Sequence, residues 1–258
     1  MRIKYLQNLI QPVLALALII LSWHVFARII DIAIILPTPA QTFSALGELI
    51  KSGEFLANTA GTLVRALLSF CISFFASLAL ALLCAQFKWF YRFIYPFIVL
   101  ARAVPTMSVI LIAVIWLGSK KSPILVSALV ILPMMFSAFY QAMISRDKNL
   151  EEMSKAFEVP RSHRLLYFYI PAIAENMFSQ VISCLSLSVK LIIAAEVFSQ
   201  TKASMGLAMN IKSANLQMDG LLAWTIVAIV LSYALEVAVR IIQHYTLIWK
   251  KKNVVDAN

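Results

Sequence analysis

Ser179, Ser183, Ser186 and Lys190 stand at i, i+4, i+7 and i+11 within an apolar run at 172–198, which places them on one face of a helix. Such a face can pack closely on a neighbouring helix, because serine replaces glycine where glycine is scarce, and the chain has only six glycines. It can also line a path for a polar solute; packing is the favoured use of the serines, and a path or gate that of Lys190. A lysine near mid-span costs about 2.5–3.5 kcal/mol on insertion scales, so it must face protein or water. Glu196 lies six residues on, about 9 Å further along the axis and about 120° around it, so it leaves the serine face. A direct Lys190–Glu196 pair within the helix is not expected. A link through water or a neighbouring helix remains open. Lys190 and Glu196, with Ser183 and Ser186 beside them, are assigned to a translocation path or gate. No metal-ligand spacing, Walker-type glycine-rich loop or nucleophile elbow accompanies them. Cys71, Cys84 and Cys184 are far apart inside apolar runs and read as packers. His24 stands alone in the first apolar run, and a lone histidine there argues against an intramembrane enzyme.

The elements that must hold these residues are membrane spans. The 258 residues are 62% hydrophobic and 13% charged, with mean hydropathy +0.87. Soluble domains are about 45–50% apolar and about 25% charged. About 20 apolar residues cross the hydrocarbon core, and six segments qualify: 10–30, 60–86, 91–117, 122–143, 172–198 and 221–246. The expected class is an all-α membrane protein. Residues 1–35 form an N-terminal span, 36–58 an outer interfacial segment, 59–246 a five-span core with a loop at 144–171, and 247–258 a basic tail. Arg2 and Lys4 before an apolar run resemble a signal peptide, with Val25-Phe26-Ala27 as a cleavage site. Apolar character resumes at Ile29, so a retained span is expected.

The net charge of +10 suggests nucleic acid in a soluble protein. Here it falls in short loops, where it sets orientation instead, and no nucleic-acid partner is expected. Arg2, Lys4, Lys88, Arg92, Arg146, Lys148, Lys155, Arg161, Arg164 and Lys250 to Lys252 lie on one side; Lys51, Lys120, Lys121, Lys202 and Lys212 lie on the other. The richer side is cytoplasmic, and both termini are inside. Lys120 and Lys121 run against the rule without reversing it. On the outer side, Thr38 can cap a short helix over 38–52 with Phe43, Leu46, Leu49 and Ile50 at helical spacing. The polar stretch 199–220 is too long for a tight turn and reads as a lid or docking surface.

Residues 151–171, EEMSKAFEVPRSHRLLYFYIP, form a charged segment between two spans. Asn149 can cap a helix at Leu150, with Glu151 and Glu152 in its first turn, where they complement the dipole. Pro160 ends or kinks it, and Pro171 marks re-entry.

This segment resembles the coupling loop of permease subunits in binding-protein-dependent ABC importers. Glu152, two small positions, three of any kind, glycine, nine of any kind and an apolar-x-apolar-Pro ending is that family's pattern. Glu152, Ala156 and Phe168-x-Ile170-Pro171 fit it, while Met153, Ser154 and Glu158 replace two alanines and the glycine. Glycine there permits positive φ, so the bend is expected to shift to Val159-Pro160. Leu36-Pro37-Thr38-Pro39, Thr62-Leu63-Val64-Arg65, Tyr95-Pro96, Arg102-Ala103-Val104-Pro105, Trp116-Leu117-Gly118, Ala194-Ala195-Glu196 and Gly206-Leu207 recur in that order in the nitrate/sulfonate/taurine/bicarbonate branch. The resemblance covers about 36–246. It implies a type I importer permease of about six spans in the bacterial cytoplasmic membrane. The implied partners are a second permease copy or similar chain, a cytoplasmic ATPase dimer that carries ATP and Mg, and an outer solute-binding protein. It also implies a coupling role for Glu152, Ser154, Ala156, Glu158, Arg161, Arg164 and Pro171. Arg102 and Pro105 resemble the family's basic-x-x-Pro, so Arg102 joins the path or gate and Pro105 is expected to kink span 3. Glu236 and Arg240, at i,i+4, read as a structural pair. The rival reading is an ion-coupled secondary transporter using Lys190 and Glu196. It calls for inverted repeats, which the sequence does not display.

Overall fold

The structure, a computed structural model, describes residues 2–144, 156–157 and 170–246, and side chains from residue 10 onward within them, up to 144, at 156–157 and over 177–245. Among the described residues all regular structure is helical: α1 (Arg2–Ile30), α2 (Pro39–Lys51), α3 (Glu54–Gln86), α4 (Lys88–Ala103), α5 (Thr106–Ile144), α6 (Ile170–Ser199), α7 (Met205–Ala214) and α8 (Met218–Thr246). Five of these are long and apolar enough to cross a membrane: α1, α3, α5, α6 and α8.

The expected third span, 91–117, is not one helix. Val104 is extended (φ −69°, ψ 128°), as a residue before proline prefers, so Pro105 separates α4 from α5 outright. The expected fourth span is the second arm of α5. Gly118 (φ 70°, ψ 176°) breaks the 39-residue helix internally; only glycine holds that conformation cheaply. In a straight helix Ala113 and Val126 would be about 20 Å apart, yet both belong to one buried cluster with Ile110. Tyr91 stacks on Tyr140 with ring centroids 4.3 Å apart. The chain therefore turns back at Gly118, and α4 with the first arm lies against the second arm.

Small residues let α3 approach α5. Thr62, Ala66, Ser69, Ser73, Ser77, Ala81 and Cys84 are buried along one face of α3. Ser73 Oγ donates to Ala128 O (3.1 Å) and Ser77 Oγ to Leu132 O (2.9 Å), which is the polar stitching that apolar surroundings reward. Below them Ile98, Ile131, Met135, Phe136, Phe139 and Cys184 form the main core.

At the end that charge distribution assigns to the outside, Thr38 and Gln41 close a capping box over α2, with Pro39 at its start. Leu46 and Leu49 pack on Met205, Trp224 and Val227, while Phe43 and Ile50 stay exposed. The expected 38–52 helix is therefore clamped to the bundle by one face. The stretch 199–220 holds α7, capped by Ser204 Oγ, which accepts from Leu207 N (3.0 Å). The helix α1 buries little beyond Ala27; its link to α2 is pinned by Trp23 Nε1 donating to Pro37 O (3.0 Å).

Candidate functional site

The structure does not bring Lys190 and Glu196 together. Each belongs to a different site on α6, as their angular separation implies.

Glu196 is fully buried where α3, α6 and the start of α7 meet. Its Oε1 accepts from Arg65 Nη1 (2.7 Å), and its Oε2 accepts from Thr62 Oγ1 (2.8 Å) and from Gly206 N (3.2 Å). Thr62 Oγ1 in turn accepts from Met205 N (2.9 Å). Arg65, 14% exposed, spends its other donors on the turn: Nη2 reaches Lys202 O (3.0 Å) and Nη1 reaches Ala203 O (3.2 Å). Ala203 (φ 47°) and Gln200 (φ 51°) hold left-handed conformations that non-glycine residues adopt at a cost. The guanidinium grips the turn where that cost falls. Thr201 Oγ1 donates to Ser119 O (2.7 Å) and so accepts from Ser199 Oγ (2.7 Å), tying the knot to the α5 turn. Gly206 has no room for a side chain: a Cβ would collide with Glu196 Cβ and lie 2.6 Å from Ile193 O.

This arrangement is a mechanical tie. A carboxylate fully removed from water is tolerable only when charge and hydrogen bonds match it, and here Arg65, Thr62 and Gly206 do. Glu196 thus holds a neighbouring helix and loop, and it presents no free oxygen to a solute.

Lys190 is exposed and lines an open groove of about 540 Å³ between α6 and α8, with Ser186, Thr225, Ser232, Tyr233 and Glu236. No ion pair or hydrogen bond engages Lys190 among the described residues. Ser186 Oγ is buried in the same groove without a partner among them. Ser179 and Ser183 are exposed, and Ser183 Oγ turns back to Ser179 O (3.1 Å). Ser179, Ser183 and Lys190 on this face of α6 are therefore exposed while Ser186 is half-buried, unlike the α3 stripe, which packs along its length. Glu236 is committed to Arg240 (2.6 Å).

Arg102 closes the α4–α5 break. Its Nη2 donates to Pro133 O (2.8 Å) and to Ser137 Oγ, both on the second arm of α5. Ala156 is exposed, as is its neighbour Phe157. The backbone of Pro171 occupies the first turn of α6, where a missing N–H costs nothing. Glu152, Ser154, Glu158, Arg161 and Arg164 lie outside the described residues.

Thr62, Arg65 and Gly206 are the functional residues that residue-by-residue reading missed. The signal was present: Thr62 and Arg65 are three apart on one helix face, and the motifs holding them, Glu196 and Gly206 were separate pieces of one ordered set. Pairing them across 131 residues needed the fold.

The profile of the family described as binding-protein-dependent transport system inner membrane component matches residues 77–246. A protein described as an aliphatic sulfonates transport permease, from Bacillus subtilis (strain 168), is 23% identical over 251 residues, 96% of this chain and 89% of that protein. A formylaminopyrimidine transport permease protein of Halalkalibacterium halodurans is 22% identical over 246 residues, 94% of this chain and 97% of that protein. The chain belongs to the family of binding-protein-dependent transport permeases.

Proposed function

We propose that this permease is one of two membrane subunits of an ATP-driven importer, and that it passes a small solute by alternating access when partner ATPases close on the 144–171 segment. ATP and Mg belong to those ATPases, and an outer solute-binding protein delivers the solute. The second membrane subunit is another copy or a similar chain. The setting is a bacterial-type cytoplasmic membrane with both termini inside. The observation that carries this reading is the Lys190 groove. A cation on an apolar helix, open to the side and without an ion pair among the described residues, needs water or a second subunit over it rather than lipid. The two relatives are named for unlike solutes, a sulfonate and a formylaminopyrimidine, so a small polar solute is the class proposed here.

The rival, ion coupling through Lys190 and Glu196, would need both side chains to share a site, whereas Glu196 is enclosed by Arg65, Thr62 and Gly206. Reconstitution separates the two. Proteoliposomes containing this chain with its ATPases and binding protein should take up solute only with ATP on the ATPase side. Uptake driven by an ion gradient with no ATPase present would overturn the reading.

A further inference from the structure

We infer that Lys120, Lys121 and Lys202 form a basic lip on which an acidic surface of the outer solute-binding protein docks. The inference rests on the importer reading above and adds to it which residues hold that partner and what charge the partner must carry. Lys120 and Lys121 defy two local preferences at once. They sit on the side poor in Lys and Arg. They also fall just after Gly118, in the first turn of the second arm of α5, where the helix dipole disfavours cations. Charges kept against both preferences call for an anionic partner.

The fold joins them to Lys202. Thr201 Oγ1 donates to Ser119 O (2.7 Å), which brings the 199–203 turn against the turn that carries Lys120 and Lys121. All three lysines are exposed, and none is ion-paired among the described residues. Arg65 does not add to their charge, because Glu196 matches it at 2.7 Å. The acidic residues Glu48, Glu54 and Asp219 line a separate groove among α2, α3, α7 and α8. The lip is also stiff, since the Lys202 and Ala203 carbonyls are gripped by Arg65. It lies where the Gly118 break of α5 meets the turn that follows α6. On the importer reading, the anionic partner on that side is the binding protein. Charges at the rim of an interface act mainly on association rate.

The test uses the assembled transporter, with its ATPases, in nanodiscs of phosphatidylcholine. The probe is the binding protein that restores ATP-driven uptake in the reconstituted system. K120E/K121E/K202E should weaken binding by about tenfold or more, through slower association, and flatten its salt dependence. The corresponding triple glutamine variant should fall between. Co-purification of the ATPases verifies that each variant is assembled. Equal affinity and salt slope in the charge-reversed variant would overturn the inference. So would a defect confined to nanodiscs containing anionic lipid, which would make the lip a lipid site, and so would reduced uptake with unchanged docking. If no binding protein supports uptake by the unaltered transporter, the importer reading itself fails, and that failure is visible before any variant is made.

Discussion

Arg65 Nη1 and Glu196 Oε1 stand 2.7 Å apart, although 131 residues separate them in the chain. The pair joins α3 to α6 at the end where both meet the 199–206 turn. Its carboxylate is fully buried and its guanidinium nearly so. It follows that the ends of α3 and α6 and the start of α7 move as one body.

Removing one partner leaves a buried charge unmatched, which costs about 3–5 kcal/mol. R65M should lower the denaturation midpoint of the reconstituted protein sharply, and E196Q less, because the amide keeps an acceptor for Thr62 and Gly206. The double variant R65M/E196Q should be more stable than the sum of the two losses allows, since neither charge is then stranded. Additive losses across this cycle, measured by thermal denaturation in detergent, would show that the two side chains do not interact.

Gly206 is required by space. A methyl there meets Glu196 Cβ and the Ile193 carbonyl, and overpacking of this kind costs about 1–3 kcal/mol. G206A should therefore loosen α7 and increase proteolysis within 199–215. G53A, where nothing lies within 4 Å of a Cβ, should leave the protease pattern unchanged. Identical digestion of G206A and the unaltered protein would refute the close approach.

The class of fold was legible in the sequence because it is written in local signals. The length and apolarity of the runs, Thr38 before Pro39, and the serine spacing of α6 each act over a few residues. The joint at 104–105 was half legible. Pro105 signals a disturbance, but whether a proline kinks a helix or ends it depends on what receives the freed groups. Here Arg102 fastens the broken end to Pro133 O, a contact 31 residues away. The separation of Lys190 from Glu196 was legible as an angle, while the partners of each were not. A carboxylate that holds a turn and one that meets a solute look the same in sequence, and only burial distinguishes them.

The 144–171 segment is expected to be cytoplasmic and to engage an ATPase through Glu152. Reversing that charge, E152K, should weaken ATPase association or leave hydrolysis no longer stimulated by the loaded binding protein. Cysteine placed at position 155 should react with impermeant reagents only from the cytoplasmic face. Labelling only from outside would invert the topology.

Lys190 is the residue whose replacement should touch transport while sparing structure. It makes no hydrogen bond or ion pair among the described residues, so K190M removes no internal partner, and it relieves the cost of a charge in an apolar helix. Insertion, thermal stability and ATPase co-purification should hold or improve. ATP-driven uptake should fall by about tenfold to a hundredfold, the scale of one lost charge-assisted contact of about 1.5–3 kcal/mol. K190R, which keeps the charge, should retain most uptake. If Lys190 served only packing, the order would reverse: K190M would transport normally, and K190R, the bulkier change, would be the poorer variant. Loss of uptake together with loss of stability in K190M would also count against the assignment, because it would mean that Lys190 serves as a structural contact in the working assembly.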